Sequence, residues 1–264
     1  MSQTTSGRTV FAAVPYANAA PLVHFLDGVA DGIEVLYGEP SGLAAHLMDG
    51  TADAAILPVA AFFETPGLRR IDGLGICASG QVESVLLKCS RPVEQVRRVA
   101  CDPASRTSNA LASILLAEHF HVPAEVRLFG PDEPVDACVM IGDRALCEPP
   151  AACGDYDLAA VWKEMTSLPF VFAVWAYRED HAEPDRLARI AHAAHAAGVK
   201  ALEQLVEIMA ADLSLPPDRC RRYLTRSVYH DVGEREVEAM ERFREMLAAR
   251  RDAPGTGGPG GEAR

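Results

Sequence analysis

Between Val99 and His119 a short apolar run gives way to Asp102-Pro103-Ala104-Ser105-Arg106-Thr107-Ser108, and this in turn to an apolar, helix-like stretch. Three hydroxyls and one guanidinium stand where a strand hands over to a helix. The first turn of a helix has unpaired backbone N–H groups and the positive end of its dipole. Ser105, Arg106, Thr107 and Ser108 placed there would make a pocket for a carboxylate or a phosphate. An ordinary N-cap with solvated neighbours is the competing reading, because Ser and Thr are the usual caps.

Three further polar clusters interrupt apolar segments. Pro15-Tyr16-Ala17-Asn18 follows a first strand, Ala78-Ser79-Gly80 precedes Ser84, and Gly142-Asp143-Arg144 follows a later strand. In open α/β sheets ligands bind beyond the carboxyl ends of strands. Two clusters come from the first α/β unit and two from the second, which predicts a cleft between two domains. Singly, each has an ordinary role: Asn18 as a turn residue, Ser84 as a small strand residue, Asp143 as a cap. Their joint placement carries the functional reading.

The elements that must hold these clusters are legible as alternating periods. Val10–Val14, Ile33–Tyr37 and Ala54–Pro58 read as strands, with helices at Pro21–Leu26 and from a Ser41 cap through Met48. Gln81–Lys88 reads as a further strand. Val99–Asp102, Ser108–Phe120, Glu125–Phe129 and Ala137–Ile141 repeat the strand–helix–strand rhythm, and Leu168–Tyr177 is a long apolar, aromatic run. From Pro184 onward the pattern is helical, ending in a charged amphipathic helix, Glu234–Arg251. The Gly/Pro-rich residues 252–264 are expected to be disordered. The class is therefore α/β, with two α/β domains and mixed, mostly parallel sheets.

Composition narrows the function classes. The chain has 264 residues, 49% hydrophobic and 23% charged, with a formal net charge of -12. That charge disfavours a nucleic-acid partner, so an anion must be held by local donors. Met1–Thr9 lacks the apolar core of a signal peptide, and no stretch has the length of a membrane span. Seven scattered cysteines without a C-x-x-C pair read as reduced thiols of a cytoplasmic protein. His192 and His195 could share a helix face, but no third metal ligand is evident. His24 and His46 read as structural. There is no dinucleotide fingerprint, P-loop or nucleophile elbow, so neither a metal nor a cofactor is expected.

Pro15-Tyr16-Ala17-Asn18-Ala19-Ala20-Pro21-Leu22 resembles the N-terminal Asn-x-x-Pro-Leu signature of the chorismate dehydratases of the futalosine route to menaquinone. Gly75–Leu87, Asp102–Ser108, Ile141–Leu146 and Asp157–Trp175 match the same family in the same order. One departure is Ser167, where the family pattern has Gly. The resemblance spans residues 10–247. It implies a type II periplasmic-binding-protein-like fold, with residues 8–90 and 175–251 forming one domain and residues 91–174 an inserted second. The crossings are then expected near Lys88–Val96 and Pro169–Tyr177, with the C-terminal helices returning to the first domain.

The implied reaction is loss of water from chorismate to give 3-[(1-carboxyvinyl)oxy]benzoate, by a monomer or homodimer. A ring hydrogen acidified by the conjugated ring carboxylate is removed, charge spreads into that carboxylate, and the neighbouring hydroxyl leaves as the ring becomes aromatic. On the resemblance, Asn18 and Ser84 are the catalytic residues. Tyr16, Ser79, Gly80, Ser105, Arg106, Thr107, Ser108, Gly142 and Asp143 would contact substrate. The base is either the enolpyruvyl carboxylate of the substrate itself or Asp143. The alternatives are a non-enzymatic carboxylate-binding protein of the same fold and the sister dihydroxynaphthoate synthase. A ligand-sensing regulatory domain is disfavoured by the acidic charge.

Overall fold

The computed structural model describes residues 8–252; the expected disordered tail, residues 252–264, lies outside them apart from its first residue. The chain opens with β1 (Thr9–Ala13), α1 (Ala20–Val23), β2 (Ile33–Tyr37), α2 (Leu43–Met48), β3 (Ala54–Pro58), α3 (Val59–Glu64) and β4 (Leu68–Ala78). It continues through β5 (Val85–Cys89), β6 (Arg98–Ala100), α4 (Arg106–Glu118), β7 (Glu125–Arg127), β8 (Ala137–Ile141), α5 (Gly142–Cys147), β9 (Asp155–Asp157) and α6 (Leu158–Thr166). It closes with β10 (Phe170–Arg178), α7 (Pro184–Lys200), α8 (Leu202–Leu213), α9 (Pro217–Arg222), a π-helical turn at Tyr223–Ser227, β11 (Tyr229–Val232) and α10 (Glu234–Asp252).

These strands form two sheets, ordered β11-β4-β10-β3-β1-β2 and β7-β6-β8-β5-β9. Both are mixed. Among the described residues four pairings are parallel and five antiparallel, so parallel pairing does not predominate. The reason is insertion: β10 returns late in the chain to lie antiparallel between β3 and β4, and β5 lies antiparallel between β8 and β9.

The chain passes from the first sheet to the second between Ala78 and Val85, and back between Thr166 and Phe170. Lys88–Val96, expected as the first crossing, instead lies within the second unit, because β5 pairs with β8 and β9. The strand expected from Gln81 begins only at Val85. Gly80 and Glu83 have φ of 130° and 65°, and the Asp157 carboxylate takes the N–H groups of Val82 and Glu83 at 2.9 and 2.7 Å. Neither feature is compatible with a ladder. Ser41 is exposed and does not cap α2; Gly42 precedes Leu43 in helical geometry, with its N–H already bonded to the Glu39 carbonyl at 3.0 Å.

Trp175 of β10 meets Phe11 of β1 edge to face at 5.4 Å in the first core. Phe243 of α10 stacks edge-on against Trp162 of α6 and Phe170 of β10. α10 therefore spans both units rather than returning to the first alone. α7 lies on α1 so closely that a Cβ on Gly198 would collide with the Pro21 carbonyl, and this fixes the helix that follows Asn18.

Candidate functional site

A cleft between the two sheets gathers Tyr16 and Asn18 from the end of β1, Ser105, Thr107 and Ser108 from the start of α4, and Gly142 from the end of β8. Its walls are apolar, with Ile56 and Ile76 on one sheet, Val85 and Ile141 on the other, and Phe172 of β10. The lining contains no Asp, Glu, His, Lys or Arg among the described residues.

Ser105 caps α4: its Oγ accepts the Ser108 N–H at 3.1 Å, and its own hydroxyl donates to Ser108 Oγ at 2.8 Å. The Ser108 proton is thereby left to point elsewhere. Thr107 Oγ1 accepts the Ala60 N–H at 3.0 Å, tying α4 to the first turn of α3 across the cleft. The N–H groups of Arg106 and Thr107 have no carbonyl four residues back within α4. The cap reading and the anion-pocket reading are thus compatible. Arg106 points away: it is exposed and pairs with Glu64 at 3.0 Å.

Asn18 is the conspicuous polar group. Its Oδ1 is buried without a hydrogen-bond partner, an arrangement that costs free energy unless something fills it. Its carbonyl faces His230 Nε2 at 2.8 Å. Burial pushes His230 down to about 4, so the ring is neutral and Nε2 holds the proton it donates. The Tyr16 phenol is pushed up to about 12, first by burial and then by Glu39, Asp102 and Asp143, so it is available as a donor. Its ring packs on Gly142, whose φ of 63° suits the residue without a side chain.

Asp143 stands beside the cleft rather than in its lining. Its Oδ1 accepts the Ala17 N–H at 3.1 Å, so it clasps the Tyr16–Asn18 loop to α5; burial raises its carboxyl above the ordinary value. Ser84 is fully buried and also outside the lining. Its Oγ accepts the Tyr223 hydroxyl at 2.8 Å and its carbonyl accepts the Gly142 N–H at 2.8 Å. Ser79 and Gly80 do not join the cleft: exposed Ser79 is held by Lys163 at 2.9 Å through its carbonyl, in the crossing segment. His192 bonds the Asp72 carbonyl at 3.0 Å, and His195 packs on the His230 ring.

Three of the four polar clusters therefore converge, and the second does so only through Ser84, behind the wall. Sequence reasoning missed Pro40, Phe172, Tyr223 and His230. Pro40 follows the end of β2 and was open to the strand-end rule. Tyr223 and His230 sit in a π turn and a four-residue strand, which leave no periodic signal.

The sequence model of the family described as "Menaquinone biosynthesis" matches residues 9–249. The chain is 33% identical over 258 residues to the chorismate dehydratase of Thermus thermophilus, covering 88% of this chain and 92% of that protein. It is 31% identical over 241 residues to the chorismate dehydratase of Campylobacter jejuni, covering 89% and 95%. Among solved structures it resembles protein AF1704 from Archaeoglobus fulgidus, with a TM-score of 0.73 and 18% identity over 92% of this chain and 98% of that one. It also resembles the Candida albicans CA3427 gene product, described as having the generic periplasmic binding protein fold, with a TM-score of 0.63 and 15% identity over 93% and 92%.

Proposed function

The chain belongs to the menaquinone-biosynthesis family, and from that membership we propose that it is a chorismate dehydratase, converting chorismate to 3-[(1-carboxyvinyl)oxy]benzoate and water. The observation that carries the reading is an unpartnered Asn18 Oδ1 in the same apolar cleft as the hydroxyl-lined start of α4. On this reading the substrate ring would lie against the apolar walls formed by Ile56, Ile76, Val85 and Phe172. One carboxylate docks on Ser105, Thr107 and Ser108, where the helix end favours negative charge.

The chemistry asks for donors where charge develops and for a dry site. Removing the acidified ring hydrogen moves charge into the ring carboxylate. Expulsion of the neighbouring hydroxyl then completes the aromatic ring, so one proton and one hydroxide leave as water. A lining free of carboxylate and imidazole favours the substrate's enolpyruvyl carboxylate as the base, with Asp143 holding the Asn18 loop instead of taking the proton. Asn18 orients the departing hydroxyl or the side-chain carboxylate. Ser84, one residue from Val85 of the lining, shares that orienting role. We place the domain boundaries at the two crossings. The seven unpaired thiols fit a cytoplasmic enzyme, acting as a monomer or a homodimer.

Mixing the protein with chorismate and following the diene absorbance tests the assignment. Loss of the diene with appearance of an aromatic product supports dehydration. Saturable binding without spectral change would show a carboxylate-binding protein of the same fold and overturn it.

A further inference from the structure

One stretch of eight residues, 223–230, reaches both residues assigned to the reaction. The Tyr223 hydroxyl donates to Ser84 Oγ at 2.8 Å, Ser227 Oγ donates to Glu83 Oε1 at 2.5 Å, and His230 Nε2 donates to the Asn18 carbonyl at 2.8 Å. All three side chains are buried. The stretch begins as a π-helical turn, an irregularity that occurs often at functional sites. It then becomes the edge strand β11.

The backbone around Ser84 is already over-determined. Asp157 takes the N–H groups of Val82 and Glu83, Glu83 is held at a φ of 65°, and Gly142 donates to the Ser84 carbonyl. Such a conformation persists only where neighbours enforce it. The remaining freedom at Ser84 is rotation of its hydroxyl. Tyr223 removes it, because an Oγ that accepts from the phenol must aim its own proton elsewhere, and that proton is made more acidic by the bond it accepts. At Asn18 the equivalent freedom is that of the loop between β1 and α1. Asp143 holds one end through Ala17 N–H, and His230 holds the other through the carbonyl of Asn18 itself.

We propose that Tyr223 and His230 are positioning residues for the dehydration: Tyr223 sets the direction of the Ser84 O–H, and His230 fixes the backbone that carries the unpartnered Asn18 amide. The proposal rests on the reading of Ser84 and Asn18 as the reacting residues. It also explains why a segment outside the cleft lining buries a phenol and an imidazole that each bond one of these two residues.

The test compares Tyr223→Phe, Ser84→Ala and the double variant by steady-state turnover of chorismate, with thermal melting of each. The expected result is a fall in kcat of about tenfold or more for Tyr223→Phe, with KM within about threefold and a melting temperature near that of the parent. The double variant should be no slower than Ser84→Ala alone, because Tyr223 acts through Ser84. Parental turnover by Tyr223→Phe alongside an impaired Ser84→Ala would overturn the positioning role while leaving the site reading intact, as would losses that multiply in the double variant. Parental turnover by Ser84→Ala would overturn the site reading and the Tyr223 role with it. For His230, and should Tyr223→Phe fail to fold, His230→Gln and His230→Leu provide the second arm. Gln retains an N–H donor and should recover most of the kcat that Leu loses; equal losses would overturn the role of the imidazole.

Discussion

The hydroxyl of Thr107 accepts the backbone N–H of Ala60 at 3.0 Å, so a side chain on the first turn of α4 closes the first turn of α3, which follows a strand of the other sheet. The two units therefore meet at the start of α4 through a buried hydrogen bond. Thr107→Val keeps the shape and removes the acceptor, leaving the Ala60 N–H unpaired. We expect a loss of about 1–3 kcal/mol in urea unfolding and weaker substrate binding, with Thr107→Ser close to the parent in both. An unchanged midpoint for Thr107→Val would show that water replaces the hydroxyl.

Asn18→Ala separates activity from stability. Its Oδ1 has no partner to lose, so the fold should keep its stability or gain slightly. Turnover should fall by about a hundredfold or more if the amide serves the transition state. A variant that melts early and turns over normally would reverse both halves of the expectation.

The proposed substrate is a dianion, the cleft lining has no cation among the described residues, and the chain has a net charge of -12. Screening therefore acts mainly on repulsion between protein and substrate. Raising salt from roughly 20 to 200 mM, a range over which the Debye length falls steeply, should leave kcat/KM unchanged or raise it modestly. A steep fall would point to an ion pair with the substrate.

His230 makes stability depend on pH. Burial lowers its pKa from 6.5 to about 4, so between those values the unfolded chain binds a proton that the folded chain refuses. Its stabilising effect is intact above pH about 6.5 and is lost as pH falls toward about 4, by up to about 3 kcal/mol in all. Denaturant titrations at pH 7.5 and 5 should show His230→Gln with a flatter pH dependence than the parent. Parallel slopes would place the acid sensitivity elsewhere.

Gly198→Ala should be destabilising by about 1–3 kcal/mol, because the new Cβ would lie within 2.9 Å of Pro21 Cα and closer still to its carbonyl. α1 can yield only by moving the loop that carries Asn18. Turnover should fall together with the melting temperature, and a melting temperature unchanged from the parent would show that α7 shifts instead.

Much of the architecture was legible from local pattern. Ile33–Tyr37, Ala54–Pro58 and Ala137–Ile141 have the observed strand limits, because short apolar runs bounded by turn residues state their own ends. β4 went unread because Gly73 and Gly75 dilute its pattern; Gly75 is there so that the backbone of β10 can pass, its Cβ position lying 2.7 Å from the Ala173 carbonyl. The cap at the start of α4 was also legible, since Ser105 bonds the Ser108 N–H as a local N-cap and Thr107 and Ser108 follow it into the cleft. By itself the sequence determined which residues could serve as donors and that two α/β units would carry them. Only the tertiary structure decided that Arg106 turns out to Glu64, that Ser79 stays outside, that Asp143 clasps a loop, and that Tyr223 and His230 stand behind Ser84 and Asn18. Those outcomes depend on contacts between residues 42 to 212 positions apart, and side-chain direction at such contacts is set by packing, which no local periodicity encodes.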